Sequence, residues 1–236
     1  MPAIRDLPSP NHDERPAGLP IDTLVLHYTG MRTAAEAIAR LRDPAARVSS
    51  HYVVEEDGTV SRLVPEERRA WHAGVSHWRG RETLNGRSIG IEIVNPGHEW
   101  GYRPFPALQM AAVCDLCLEI LARHPIAARD VVAHSDIAPD RKQDPGELFD
   151  WQGLAANGVG LWPEGEIPGE DTAPVPDEVA RALPLLQAVG YRTDLPVTVL
   201  LAAFQRHWRP ERVDGMLDTG TLGRLQAVAA LCQGMT

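Results

Sequence analysis

Long apolar runs, basic clusters and cysteines are all scarce in this chain of 236 residues, and each scarcity closes off a class of function. No apolar stretch approaches the roughly 18–20 residues that a bilayer span needs, so no membrane span is expected. The first residues, "MPAIRDLPSPNHDERPAG", lack the apolar centre of a secretory signal, and the expectation is a cytoplasmic protein. With 23 Lys+Arg against 32 Asp+Glu the balance is acidic, and no basic run or basic–aromatic stripe appears. Nucleic acid is therefore not an expected partner. Three cysteines are too few, and the chain too long, for a disulfide-held scaffold. Cys114 and Cys117 do form a C-x-x-C, but Met110, Cys114, Cys117 and Leu121 recur at i, i+4, i+7 and i+11. That spacing predicts one buried helix face, with the thiols as small apolar residues.

What is present is an alternation of strand and helix signals. Residues 1–20 are rich in proline and charge and read as an extended or mobile lead-in. "IDTLVLHYT" reads as a strand, and "TAAEAIARLRD" as a helix stopped by Pro44. "HYVVEE" and "TVSRLV" flank Asp57-Gly58, a strong hairpin signal. "RSIGIEIVN" is a further strand, followed by a long helix from about Pro106 to His124 and the short strand "DVVAH". The mixture predicts an α/β domain over 21–163, with a mixed central sheet flanked by helices. A Pro- and acid-rich linker is expected at 164–177, forming a boundary that few contacts cross. Apolar periodicity at Val179–Leu186, Val197–Trp208 and Leu222–Cys232 then predicts a small three-helix domain over 178–236.

Three strands carry residues that a buried strand would not choose for packing: His27, Glu92 and His134. Strand ends in layered α/β domains aim side chains into a common crevice. Two histidines with one carboxylate suit catalytic zinc, filling three positions and leaving a fourth for water. Asp136, Asp140 and Asp144 are all candidates for the carboxylate. His12, His77, His98, His124 and His207 sit in polar contexts and read as surface residues.

"VLHYTG", "SSHYVVEEDGTV", "AWHAGVS", "LNGRSIGIEIVN" and "AHSDIAPDRKQDPGELFDW" follow one another over about residues 20–163. Together they resemble the motifs of the zinc-dependent N-acetylmuramoyl-L-alanine amidases of the type 2 amidase fold, which phage lysozyme-type amidases and peptidoglycan recognition proteins share. The resemblance implies one zinc per chain held by His27, His134 and Asp144, with Glu92 and Lys142 as catalytic residues. It implies peptidoglycan fragments as substrates, cut between the muramic acid lactyl group and L-alanine. Such ligands call for aromatic, cationic and hydrogen-bonding walls, for which Trp71 and His72 are the first candidates and His51, Arg79 and Arg81 further ones, His51 being equally open to a structural role. The last three predicted helices, with "AFQRHWRPERVDGMLDTGTLGRLQAV", resemble a small peptidoglycan-binding domain. Two other functions remain open at this level: muropeptide binding without cleavage, and a peptidase acting on a peptide–peptide bond.

Overall fold

A computed structural model describes residues 4–164 and 176–234. Most of the expected linker, 165–175, lies outside the described residues. Along the chain come β1 (Arg5–Asp6), β2 (His12–Glu14), β3 (Thr23–Tyr28), α1 (Ala34–Arg42), β4 (Tyr52–Val54), β5 (Val60–Arg62) and β6 (Arg68–Ala70). They are followed by β7 (His77–Trp78), β8 (Arg81–Glu82), β9 (Ser88–Ile93), α2 (Gly97–Trp100), α3 (Ala107–Arg123), β10 (Val131–Ala133), α4 (His134–Ile137) and α5 (Trp151–Ala156). The C-terminal part holds α6 (Glu178–Val189), α7 (Val197–Trp208) and α8 (Thr219–Gln233).

The central sheet has the order β1-β5-β4-β9-β3-β10. β3, β9, β4 and β10 run parallel, whereas β4 and β5 form the antiparallel hairpin expected around Asp57-Gly58. Parallel strands covered on both faces read as unbroken apolar runs, and "TLVLHY" and "SIGIEI" do so. Leu24, Leu26, Ile89, Ile91 and Ile93 point to one side, against Val113, Leu116, Cys117 and Ile120 of α3. Cys114 packs at the edge of the same cluster, so both thiols serve the helix face. Residues 4–20 run extended and are pinned down: β1 joins the sheet edge beside β5, and β2 pairs with β6.

The opposite side of the sheet carries the site, and it is also where the C-terminal helices dock. Val25 and Val132, paired in register, share one apolar cluster with Trp78, Ile137, Leu186, Tyr191, Phe204 and Trp208. Arg79 donates to the carbonyls of Ala188 (3.2 Å) and Val189 (2.8 Å), and its own N–H bonds Gly190. The expectation of a boundary that few contacts cross is thus corrected. The sequence hides this because apolar residues of α6 and α7 satisfy a helical period whether they face one another or a neighbouring sheet.

The Phe-Gln, Asp-Gly signature of the last three helices has an internal explanation. Gln205 is buried, and its amide donates to Asp214, the Met216 carbonyl and Thr221 while accepting the N–H groups of Asp214 and Gly215. Gly215 (φ +72°) lies so close to the Thr198 carbonyl that a Cβ would collide with it. These residues hold α7, the loop and α8 together.

Candidate metal centre and cleft

His27 is the penultimate residue of β3, Glu92 lies beside it in register on β9, and His134 follows directly from β10. Residues two apart on a strand share a face, so Val25 and His27, with Gly90 and Glu92 opposite them, present one surface. The third group arrives from the loop after α4, where the Asp144 carbonyl accepts the Ser135 N–H at 3.0 Å. The Asp144–Pro145 peptide is cis. Gly146 (φ +88°) packs where a Cβ would strike the Tyr102 ring and hydroxyl. That hydroxyl donates to the Pro145 carbonyl and accepts the Leu148 N–H, clamping the loop.

The three groups converge. His27 Nδ1, His134 Nδ1 and Asp144 Oδ2 lie 2.9–3.0 Å from one another, and all three residues are buried. The hydrogen-bond network assigns the tautomers. Ser88 Oγ donates to the Leu84 carbonyl (2.7 Å), so it accepts from His72 Nε2 (3.1 Å). His72 Nδ1 therefore accepts from His27 Nε2 (3.0 Å), which leaves His27 Nδ1 with a lone pair. His134 Nε2 donates to the Ala73 carbonyl (3.2 Å), freeing its Nδ1 likewise. Two imidazole lone pairs and a carboxylate oxygen facing one another at this distance repel unless a cation sits among them. Outward-facing ring nitrogens held by such partners are what metal-binding histidines require. The donor set therefore fits a divalent metal of the nitrogen- and oxygen-loving kind.

The electrostatics agree. Burial, with His134 alongside, lowers His27 to about 4, so the ring is neutral at physiological pH. Burial alone would raise Asp144, but positive charge placed beside it, as protonated His134 and His27 rings supply, holds its carboxyl well below the usual carboxylate range, and a cation among the three groups acts in the same direction. Glu92 moves the other way: burial, then the charge of Asp144, pushes its carboxyl well above that range, with Lys142 opposing. Glu92 Oε2 is shielded from solvent and has no hydrogen-bond partner among the described residues. The Lys142 side chain is in no ion pair among the described residues.

Above the cluster opens a cleft of about 750 Å³. Trp71, His72, Glu92, Lys142 and Asp144 line it, with Tyr28, His98, Arg40 and Arg206. Asp140 is exposed at the rim, whereas Asp136 turns away and bonds His207 and Tyr191. His72 contributes less as a wall than as the group that holds His27. Two expected cleft residues lie elsewhere. His51 is fully enclosed: its Nδ1 accepts the Gly90 N–H (3.0 Å) and its Nε2 donates to the Arg68 carbonyl (3.1 Å). Burial and then Arg15 lower it to about 3, making it a neutral pin between β4 and β9. Arg81 faces Asp130 (3.4 Å) and Asp22 (3.6 Å), away from the cleft. Arg79, as described, grips the bundle. His207, expected at the surface, is buried, and His98 bonds Tyr28 (3.0 Å) and Glu147 (3.1 Å) at the cleft edge. Arg206 and the α7 wall had no sequence signal, since helix α7 reads as packing alone.

Fold and site together define the class: a mixed α/β hydrolase built around a cluster able to hold a metal ion. The chain belongs to the N-acetylmuramoyl-L-alanine amidase family (Amidase_2), whose match spans residues 17–147. It is 40% identical over 232 residues to N-acetylmuramoyl-L-alanine amidase AmiD of Escherichia coli K12, covering 89% of this chain and 81% of that one. The 1,6-anhydro-N-acetylmuramyl-L-alanine amidase AmpD of the same organism is 36% identical over 164 residues, 62% of this chain and 87% of that one. The solved complex of E. coli AmiD with the substrate anhydro-N-acetylmuramic acid-L-Ala-D-gamma-Glu-L-Lys superposes with a TM-score of 0.82 at 37% identity, covering 92% of each chain. The mixed sheet flanked by helices is that of the type 2 amidases. Among the described residues no helix is long and apolar enough to cross a membrane.

Proposed function

We propose that this chain is a zinc-dependent amidase that hydrolyses the bond between N-acetylmuramic or anhydro-muramic acid and L-alanine in peptidoglycan fragments. The observation that carries the reading is the convergence of His27 Nδ1, His134 Nδ1 and Asp144 Oδ2 on the cleft floor, next to the Glu92 carboxyl, whose Oε2 has no hydrogen-bond partner among the described residues. Zinc held by His27, His134 and Asp144 would supply a water acidified to a pKa of about 7 and a Lewis acid for the scissile carbonyl. Glu92, which lines the cleft, takes the proton of the attacking water on its carboxylate and returns it to the departing L-alanine nitrogen. Lys142 sets an ammonium beside the carbonyl oxygen as negative charge gathers there. Trp71 and Tyr28 offer apolar faces to the sugar and stem, and Arg40 and Arg206 offer cations to stem carboxylates. The anhydro-muramic substrates in the names of the similar proteins support soluble anhydro-muropeptides as the substrates.

The test is digestion of anhydro-muropeptides and of intact sacculi, with products read by mass spectrometry and metal content by elemental analysis. The expected result is one zinc per chain and free anhydro-muramic acid with a peptide beginning at L-alanine. Cleavage within the peptide, or binding without cleavage, overturns the reading. Asp144→Ala should lose zinc and activity together. Retention of full zinc by that variant would remove Asp144 from the ligand set.

A further inference from the structure

Asp136 stands two residues from His134 and takes no part in the cluster on the cleft floor. Its carboxylate is wholly buried and accepts three hydrogen bonds. One comes from the Ala133 N–H at 2.8 Å, at the junction of β10 and α4. The other two come from the C-terminal bundle: His207 Nδ1 at 2.7 Å and the Tyr191 hydroxyl at 2.5 Å. His207 is itself fixed, its ring stacked on Trp151 (3.8 Å between centroids) and Trp208 (3.6 Å). Tyr191 packs edge-on against Trp78 at 5.2 Å.

We propose that the C-terminal bundle is a scaffold of the metal centre, in which Tyr191 and His207 act through Asp136 as positioning residues for His134. The proposal rests on the assignment of His134 as a ligand. α4 spans only four residues, too few to hold its own geometry, and its first turn is fixed where Asp136 accepts the Ala133 N–H. Two of the three donors that make the buried carboxylate tolerable come from α7 and from Tyr191, two residues past the end of α6. A buried carboxylate deprived of its donors turns toward water, because an unpaired buried charge is strongly unfavourable. Such a turn releases Ala133 and rotates His134, whose Nδ1 must stay within a fraction of an ångström of its place to ligate. The bundle therefore sets metal affinity from outside the cleft.

The test is zinc affinity of the full chain, measured by competition with a chromophoric chelator, with thermal unfolding of the zinc-free protein in parallel. Tyr191→Phe removes one hydroxyl, and His207→Phe keeps the ring stack while removing the donor. Each should weaken zinc binding by about tenfold or more, as loss of a group supporting a ligand generally does. Thr221→Ala is the comparator: it removes the hydroxyl that accepts from Gln205 and Arg209 between α7 and α8 and bonds neither Tyr191 nor Asp136. It should lower the unfolding temperature and leave zinc affinity within twofold of the parent. The proposal is overturned if Tyr191→Phe binds zinc as the parent does, or if Thr221→Ala weakens binding by the same factor. Should His207→Phe fail to fold, Tyr191→Phe decides alone. A parent chain that binds no zinc would instead defeat the ligand assignment, a result separate from both.

Discussion

Glu92 owes its chemistry to what surrounds it rather than to what it bonds. A carboxyl enclosed beside Asp144, with one oxygen shielded and unpartnered among the described residues, holds a proton more readily than a solvated one. Glu92→Gln keeps the shape and removes the base, so the protein should fold and bind zinc while kcat falls by about 10²–10⁴. Near-normal turnover would make Glu92 a structural group. Lys142 is tested by the split between kcat and KM. Lys142→Ala should depress kcat by roughly 10²–10³ with KM little changed, and Lys142→Arg should recover part, since a planar guanidinium spreads its charge. A raised KM at unchanged kcat would make Lys142 an anchor for a substrate carboxylate. At this scale the sequence separates roles only partly. Asp136, Asp140 and Asp144 stand four residues apart in one polar stretch, and spacing alone ranks none of them. What distinguishes Asp136 is a tyrosine and a histidine 55 and 71 residues further on, contacts that only folding reveals.

Among the elements, β9 does most to place the site, and it does so at one position by having no side chain. Gly90 precedes Glu92 on the same face, and a Cβ built there would meet Cγ and Nδ1 of His72 at 2.5 Å. The strand thus gives up packing at Gly90 so that the His72 ring can lie against it and hold His27 Nε2. Gly90→Ala should push His72 off the sheet, break the relay from His27 through His72 to Ser88, and weaken zinc binding by about 10–100-fold. Chelator competition reads this directly, and an unchanged affinity would show that His27 needs no such partner. The long elements were legible because their patterns are local: β3 and β9 as apolar runs, α1 as a helix stopped by Pro44, α3 as an amphipathic helix. β6, β7 and β8 were not, since two or three residues such as Arg68–Ala70 carry no period, and their pairing comes from partners distant in the chain. For His51 both a cleft role and a structural one were open, and the structural one emerges only when its N–H and lone pair are both matched to backbone.

Taken whole, the molecule is one working unit with a cleft walled by both of its parts. Val199, Ala202 and Arg206 of α7 face the cleft, while Phe204, His207 and Trp208 of the same helix face inward. Removing residues 176–236 should therefore do more than detach a wall-binding accessory. Val25, Val132, Trp78 and Ile137 would lose the helices they share a cluster with. At about 1.5–3 kcal/mol for each large side chain uncovered, a few such losses take away much of a domain's net stability of about 5–15 kcal/mol. Asp136 would keep one donor of three, two residues from a metal ligand. The expected outcome is a truncated protein that is poorly soluble or, where it stays soluble, binds zinc weakly and cuts small muropeptides slowly. Solubility, zinc competition and turnover of an anhydro-muropeptide check the three parts separately. A soluble, zinc-loaded and fully active truncation would show instead that the sheet, with α3 behind it, holds the site unaided and that the bundle serves only to bind.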